Sequence, residues 1–142
     1  MEVTNSMYSA KEMNKDFSIL FIDDEFIITF SMVKVLKRRF ANVYSAGDGQ
    51  EGLELFRKYF PDIVITDILM PKMDGLEMTK NIRKISPDTP VIVLTAINEE
   101  PYIDKIKEIG IQGYIVKPIN DKDFFNVLYK AVDELYKKRG RN

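Results

Sequence analysis

The sequence of 142 residues contains no cysteine and no histidine. Without cysteine the chain can form neither a disulfide framework nor a thiolate metal site. Without histidine it lacks the commonest general base and metal ligand. Any chemistry at a site in this protein must therefore use carboxylates, hydroxyls and lysines.

The sequence also lacks a strong charge of either sign and a long apolar run. Its 21 basic and 22 acidic residues give a formal net charge of -1, so nothing attracts the whole chain to nucleic acid or to an anionic membrane, and direct nucleic-acid binding is not expected. No apolar run approaches about 18 residues. The N-terminus has no basic segment followed by an apolar one, so we predict neither a membrane span nor a signal peptide, and we expect a cytoplasmic protein.

Length and hydrophobic content predict one domain with a single sizeable core. The chain is 45% hydrophobic, and a second domain would have little room. Residues 1–15 are polar and irregular, which predicts a mobile N-terminal extension. We assign residues 16–139 to the folded domain and 140–142 to a tail.

Apolar runs and helical periodicities alternate five times along the chain. The predicted strands are Phe17–Ile22, Asn42–Ala46, a strand around Ile63, Pro90–Thr95 and Gly113–Val116. A predicted helix follows each strand, and the connections are short. Capping-box patterns, Asp48 with Glu51 and Asp74 with Glu77, predict where the second and third helices begin. This alternation predicts right-handed crossovers and an α/β fold of the doubly wound class, in which helices cover both faces of a five-stranded parallel sheet. The expected strand order is 2-1-3-4-5, as in flavodoxin-like folds.

Two helices are marked by apolar residues that recur at helical spacing. The first helix shows one stripe, formed by Phe26, Phe30, Val33, Leu36 and Phe40. The last helix shows two adjacent stripes, Phe124, Leu128, Ala131 and Leu135 in one, and Phe125, Val132 and Tyr136 in the other. We interpret the second stripe as wider than one sheet contact needs, which indicates a surface for a partner.

Four of the five predicted strands end in groups that can carry chemistry. They are Asp23 with Asp24, Asp67, Thr95 and Lys117. In a doubly wound sheet the carboxyl ends of the strands open into the crevice where ligands bind, so we expect these side chains to meet there. Plainer interpretations remain open at this point: the aspartates can cap helices or turns, and the lysine can be a solvated surface residue.

Three clustered carboxylates predict a divalent cation. They repel one another unless a cation neutralises them, and hard oxygen ligands with water at the remaining positions suit Mg²⁺, or Mn²⁺ in its place. The metal and Lys117 together would neutralise a phosphoryl group that reaches Asp67, and Thr95 could donate to a phosphoryl oxygen. A carboxylate is a competent nucleophile for phosphoryl transfer, so the constellation indicates an aspartyl phosphate.

The combination of four short motifs resembles the receiver domain of bacterial two-component response regulators. The motifs are IDDE at 22–25, DILMPKMDG at 67–75, LTA at 94–96 and YIVKP at 114–118, and the resemblance spans roughly Phe17 to Arg139. By position it implies that Asp67 is the phosphoacceptor, that Asp23 and Asp24 are the metal-binding pair and that Leu69 offers its backbone carbonyl to the metal. It likewise implies a switch hydroxyl in Thr95, a switching aromatic in Tyr114 and a phosphoryl-binding Lys117, with Pro118 after a cis bond.

The resemblance also implies which proteins donate the phosphoryl group and how the signal is passed on. A histidine kinase or phosphotransfer protein would supply the phosphoryl group, and the protein would be a signalling switch rather than an enzyme. We expect the signal to leave through the fourth helix, fifth strand and fifth helix, to an effector or a second copy of the chain. Leu69 and Ile97 stand where the family tunes hydrolysis, and neither can hold a water, so we expect a long-lived phosphoryl group. The segment after Tyr136 is too short for an effector domain, which leaves a stand-alone regulator or part of a longer protein.

Two other classes of function compete with this interpretation. A flavodoxin-like FMN binder would share the sheet order, but its phosphate needs a loop rich in hydroxyls and glycines after the first strand, where this chain has Asp23, Asp24 and Glu25. A domain that binds partners without being phosphorylated could use the same fold. The presence of every chemical group argues against this second alternative.

Overall fold

The computed structural model describes residues 16–96 and 100–139. Its strands are β1 (Ser18–Ile22), β2 (Asn42–Ala46), β3 (Ile63–Asp67), β4 (Val91–Thr95) and β5 (Gly113–Val116). Its helices are α1 (Phe26–Leu36), α2 (Gly49–Tyr59), α3 (Gly75–Ile85), α4 (Glu100–Ile109) and α5 (Asp121–Lys138). No helix in these two ranges is long and apolar enough to cross a membrane. The predicted N-terminal extension, 1–15, and the tail, 140–142, lie outside the described residues.

The five strands form one parallel sheet with the order β2-β1-β3-β4-β5, which confirms the predicted doubly wound fold. The order reverses between β1 and β3, which pair with Ile22 opposite Thr66. The residues that follow these two strands therefore emerge side by side at the carboxyl edge of the sheet. This edge is where a ligand site is expected in such folds.

The sheet separates two hydrophobic cores because successive side chains of a strand point to opposite faces. Ile19 and Phe21 of β1 join the core that includes α1 and α5, whereas Leu20 and Ile22 join the core formed with α2, α3 and α4. Strands β3 and β4 are buried throughout and alternate in the same way. Their continuous apolar sequence follows from having helices on both faces.

The predicted first helix is present, but the apolar residues that mark it do not all face the core. Phe26 and Phe30 are exposed, and the helix is buried instead through Met32 and Leu36, with Phe40 just after it. The reason is that α1 is apolar on every side, with Ile27 and Ile28 beside Phe26, so spacing alone could not indicate which face turns inward.

The second apolar stripe of α5 packs within the chain instead of facing solvent. Val132 is fully buried, and the ring of Tyr136 makes an edge contact with Phe17, with their centroids 6.4 Å apart. The guanidinium of Arg39 lies 4.3 Å from the centroid of the Phe125 ring. The width of this apolar face is therefore explained by contacts to the segments that flank β1 and α1, and it gives no support to a partner surface.

The helix starts follow the predicted capping chemistry. Asp48 accepts a hydrogen bond from the backbone of Glu51, at 2.8 Å, where α2 begins. Asp74 accepts one from the backbone of Glu77, also at 2.8 Å, where α3 begins. These aspartates are satisfied locally, which separates them from the acidic residues that follow β1 and β3.

Candidate functional site

The carboxyl edge of the sheet gathers Asp23, Asp67, Thr95 and Lys117. Asp67 and Thr95 are the last residues of β3 and β4, Asp23 directly follows β1, and Lys117 directly follows β5. The first three are buried, with Asp23 only 1% and Asp67 only 6% exposed. The structure thus brings together the polar groups that the sequence places at four strand ends.

The carboxylate of Asp67 is almost completely buried and accepts hydrogen bonds at both oxygens. One carboxylate oxygen accepts a hydrogen bond from the backbone of Ile68 at 2.9 Å, and the other accepts one from the ammonium of Lys117 at 3.1 Å. Burial raises the pKa of Asp67 to about 6, and the neighbouring Asp23 adds to the rise, although Lys117 opposes both. A buried carboxylate with one cationic neighbour is a group whose charge is only partly compensated.

Asp23 is held by backbone contacts on both sides. Its Oδ1 accepts a hydrogen bond from the backbone N–H of Glu25 at 2.8 Å, and its own N–H donates to the carbonyl of Ala46 at 3.2 Å. Burial raises the pKa of Asp23 above its usual value, despite the lowering effects of the Glu25 backbone and of Lys117. Glu25 occupies the N-cap position of α1 without a side-chain cap bond.

The donor set fits a hard divalent cation. Carboxylate oxygens of Asp23, Asp24 and Asp67 lie within 4.8 Å of one another. The Oδ2 atom of Asp23 is buried, and its cationic neighbour is the ammonium of Lys117, 3.1 Å away. Lys117 shares its one charge between Asp23, Asp67 and Glu25, so the cluster keeps an excess of negative charge that a divalent cation would neutralise. Asp24 is exposed and so leaves an open side for water ligands, the arrangement that Mg²⁺ prefers.

Lys117 is surrounded by three carboxylates. Its Nζ lies 3.1 Å from Asp67, 3.1 Å from Asp23 and 3.5 Å from Glu25. Burial alone would lower the pKa of Lys117, but Asp67 and then Asp23 outweigh it, so the pKa lies above its usual value. The peptide bond between Lys117 and Pro118 is cis, as the resemblance implies.

Glu25 is the site residue that sequence reasoning missed. The sequence places it next to Asp23 and Asp24, but no role was assigned to it. Because its N-cap position leaves its carboxylate free of the helix, the side chain can turn to Lys117 at the rim of the site. The only available signal was the third acidic residue in a run at the end of a strand.

Thr95 and Tyr114 line the same groove between β4, β5 and α4. The hydroxyl of Thr95 is buried and donates to the carbonyl of Ala96 at 3.1 Å. Tyr114 is 42% exposed, with Nζ of Lys107 4.9 Å from the ring centroid. Both side chains face an open groove whose floor includes Ile103. Thr95, at the end of β4, and the partly exposed Tyr114 thus border the same groove.

Of the two residues assigned to hydrolysis tuning, the structure describes only one. Leu69, two residues beyond Asp67, is 43% exposed on the β3–α3 loop. Ile97 lies outside the described residues, so its assignment stays a prediction. The position of Leu69 on an exposed part of this loop agrees with a side chain that borders the approach to Asp67.

An exposed apolar surface begins beside the site. Phe26 and Ile27 are each 77% exposed, and Phe30 stacks on Phe26 with centroids 6.0 Å apart. This surface, Phe26, Ile27 and Phe30, follows directly on Glu25, which contacts Lys117. It is the most exposed group of large apolar side chains among the described residues.

Comparison with known proteins finds one family along most of the chain. Residues 19–129 match the family model described as the response regulator receiver domain. The chain is 34% identical over 122 residues to an uncharacterized transcriptional regulatory protein, YesN, of Bacillus subtilis, a match that covers 84% of this chain and 33% of YesN. It is 41% identical over 111 residues to a probable transcriptional regulator, ycf27, of Guillardia theta, covering 74% of this chain and 41% of that protein. The chain thus spans less than half the length of these two relatives.

A solved structure agrees with the sequence comparisons. The chain is similar to a response regulator receiver domain protein from Clostridium thermocellum, with a TM-score of 0.77 and 31% identity. That similarity covers 83% of this chain and 95% of the other. The sequence match and the structural match therefore both indicate a response regulator receiver domain.

Proposed function

The chain belongs to the response regulator receiver domain family, and on that basis we propose that it accepts a phosphoryl group on Asp67 and changes a partner-binding surface in response. Domains of this family are two-component signalling modules rather than enzymes in the ordinary sense. The observation that carries the proposal is the buried carboxylate of Asp67, held 3.1 Å from Lys117 and beside the carboxylates of Asp23 and Asp24.

The proposed phosphoryl transfer forms one bond and breaks one. A carboxylate oxygen of Asp67 attacks the phosphorus of a phosphohistidine, the phosphorus–nitrogen bond breaks, and its electron pair stays on the leaving imidazole. Lys117 is placed to contact a phosphoryl oxygen, because its ammonium already lies beside Asp67. The Thr95 hydroxyl, which now donates to Ala96, would turn to donate to another oxygen of that group.

We propose that Mg²⁺, or Mn²⁺, is required for this transfer. Asp23, Asp24 and Asp67 would hold the ion with carboxylate oxygens, and Leu69 with its backbone carbonyl. Support comes from the clustering of these three carboxylates within 4.8 Å of one another, two of which are buried and share the ammonium of Lys117. When bound, the ion supplies positive charge that lets an anionic phosphoryl group approach three carboxylates.

A sensor histidine kinase or a phosphotransfer protein is the proposed donor. A protein donor must cover the mouth of the site to reach Asp67, which is only 6% exposed. On the α1 side the apolar surface Phe26, Ile27 and Phe30 begins one residue after Glu25, whose carboxylate contacts Lys117. We therefore place part of the donor contact on this surface and the reaction in the cytoplasm, where a kinase has access to ATP.

The proposed output surface consists of α4, β5 and α5. Support comes from the groove in which Thr95 and Tyr114 lie together and from the exposed side chain of Val116 on β5. If Thr95 turns towards a phosphoryl group, the space near its present position becomes available to the Tyr114 ring. The partner is an effector or a second copy of the chain. The relatives carry the names of transcriptional regulators, but we propose no direct nucleic-acid contact for this chain, whose net charge is -1.

The test of this function is the intact mass of the protein after incubation with a small acyl phosphate donor and Mg²⁺. We expect the parent to gain one phosphoryl group and Asp67→Asn to gain none. Asp88→Asn, which changes an exposed carboxylate away from the site, is the matched control and should behave as the parent. Absence of any mass gain in the parent would favour an interaction domain that is not phosphorylated, and a full gain in Asp67→Asn would show that another residue is the acceptor.

A further inference from the structure

The loop that follows Asp67 is seated on the first turn of a neighbouring helix. This β3–α3 loop, residues 68–74, receives a hydrogen bond from the backbone N–H of Gly49, which donates to the carbonyl of Met73 at 2.9 Å. Beside it, the ammonium of Lys72 lies 3.7 Å from the carboxylate of Asp48. That ion pair is exposed on the lysine side and contributes little, so the backbone contact is the main attachment.

Only glycine at position 49 permits this contact. A Cβ built on Gly49 would lie 2.1 Å from the carbonyl oxygen of Met73 and 2.8 Å from its carbonyl carbon. Both atoms belong to backbone, so neither can swing aside as the end of a side chain can. Gly49 does not have a positive φ. Its lack of a side chain is therefore needed for close approach and not for backbone conformation.

A side chain at position 49 would displace the loop rather than the helix. Helix α2 is anchored in the core by Leu53 and Phe56, which are buried. In the loop Ile68 is buried, but Leu69, Pro71 and Lys72 are exposed. The element with fewer buried contacts moves at lower energetic cost.

We propose that Gly49 is a positioning residue for the metal site. By fixing where the β3–α3 loop lies on α2, Gly49 would fix the position of the Leu69 backbone carbonyl, which is our proposed fourth protein ligand of the cation. This inference rests on the proposed function, because it assigns to Gly49 a share of the affinity for the cation. Gly49 touches neither the ion nor the phosphoryl group and acts only through the loop.

Three glycines near α2 provide a matched set of variants. Gly49→Ala introduces the clash with the loop. Gly47→Ala, two residues earlier, places a Cβ where nothing lies within 4 Å. Gly52→Ala places a Cβ 2.8 Å from the sulfur of Met78 and 3.0 Å from Ile22, so it strains the core without touching the loop. Isothermal titration calorimetry with MgCl₂ gives the dissociation constant of each variant, and urea unfolding gives its stability.

Gly49→Ala is expected to raise the Mg²⁺ dissociation constant about tenfold, the lower end of the effect typical for groups that orient metal ligands. Gly47→Ala should change it by less than about twofold. Gly52→Ala should lower the urea midpoint with little change in Mg²⁺ affinity. An unchanged affinity in Gly49→Ala, or an equal loss in Gly52→Ala, would overturn the positioning role while leaving the proposed function intact. A parent that does not bind Mg²⁺ would instead remove the proposed function itself.

If Gly49→Ala does not fold, the positioning role of Gly49 can be tested by hydrogen exchange on the parent protein. Coupling between two events is reciprocal, so if the seated loop raises Mg²⁺ affinity, saturating Mg²⁺ must raise the ratio of seated to displaced loop by up to the same factor, about tenfold. Hydrogen exchange of the Gly49 amide should slow by up to that factor. The Gly47 amide, which donates to the side chain of Glu51, serves as the control and should not change. Equal exchange of the Gly49 amide with and without Mg²⁺ would refute the proposal.

Discussion

The ammonium of Lys117 lies 3.1 Å from Oδ2 of Asp67 although their strands, β5 and β3, are separated in the sheet by β4. The lysine therefore reaches across the end of β4, where Thr95 lies. A change of charge or volume at Asp67 acts directly on the residue that follows the edge strand β5. This contact gives the site a physical connection to the groove beside Tyr114.

Loss of Asp24 is expected to weaken both metal binding and phosphorylation. Asp24→Ala removes one of three clustered carboxylates, and the exposed position means that the fold should tolerate the change. Calorimetry with Mg²⁺, repeated with Mn²⁺, measures the first effect, and phosphoprotein formation at several Mg²⁺ concentrations measures the second. Asp88→Asn is the control. Phosphorylation that proceeded equally well in excess chelator would show that the metal assignment is wrong.

The pKa of Asp67 predicts an unusual stability profile for the metal-free protein. Because its folded pKa, about 6, exceeds the usual value of 3.8, the folded state binds the proton more tightly. The stabilising effect of that proton is fully present below the usual value and is lost as the pH rises through about 6. At pH 7.5 the ionised Asp67 should therefore lower stability by roughly 1 to 3 kcal/mol.

Asp67→Asn tests this profile, because asparagine cannot ionise. In the presence of chelator it should be more stable than the parent at pH 7.5, and the difference should shrink as the pH falls from about 6 to about 4. Urea unfolding followed by circular dichroism measures both. A difference that grew towards low pH would mean that Asp67 is stabilised, and not destabilised, by its surroundings when it is ionised.

The apolar surface of α1 is expected to matter for a protein donor and not for a small one. Ile27→Asp places a charge on a side chain that is 77% exposed, so it should slow phosphotransfer from an autophosphorylated histidine kinase that phosphorylates the parent. Phosphorylation by a small acyl phosphate should be unchanged. Phe60→Asp, an equivalent change at the far end of α2, is the control. Equal slowing with both donors would place the defect in the site itself.

Phosphorylation is expected to change hydrogen exchange mainly in α4, β5 and α5. The reason is that Thr95 must turn from the Ala96 carbonyl to reach a phosphoryl oxygen, which alters the groove that it shares with Tyr114. Exchange measured by mass spectrometry, with and without the phosphoryl donor, reports the change by segment. Asp67→Asn treated in the same way should show none. A response confined to α1 and α2 would contradict the proposed output surface.

The lifetime of the aspartyl phosphate is expected to depend on Leu69. Its side chain is half exposed beside the site and cannot hydrogen-bond a water placed for attack on the phosphorus. Leu69→Asn should lose the phosphoryl group faster than the parent, and combination with Ile97→Glu should accelerate the loss further. Decay of purified phosphoprotein measures this, with Phe60→Asn as the control for an exposed apolar side chain replaced by asparagine. Identical decay in all of them would show that these side chains do not set the lifetime.

The sequence predicts the strand ends well because two independent signals coincide there. An apolar run predicts where a strand is buried, and a polar residue that interrupts it marks the point at which the chain leaves the core. Asp67, Thr95 and Lys117 are placed by that rule alone, and the parallel topology then brings them together. The capping aspartates, Asp48 and Asp74, are predicted equally well because capping is a local interaction.

The sequence fails where an orientation depends on distant packing. The buried face of α1 could not be predicted because apolar residues surround the helix, and only the contacts of Met32 and Leu36 with the sheet decide it. The contact of Glu25 with Lys117 joins residues that are far apart in the chain. The hydrogen bond from Gly49 to Met73 forms only because the β3–α3 loop packs against the start of α2. None of these has a periodic or local signal.

Because the sheet separates two hydrophobic cores, a substitution in one core should have little effect on the packing of the other. Among the described residues, core side chains on the α1 and α5 face, such as Leu36, form a different cluster from those on the α2, α3 and α4 face, such as Ile82. The free-energy changes caused by substitutions on opposite faces should therefore simply add. As a consequence, the face that carries α1 can diverge to fit a new donor while the face that seats the β3–α3 loop keeps its geometry.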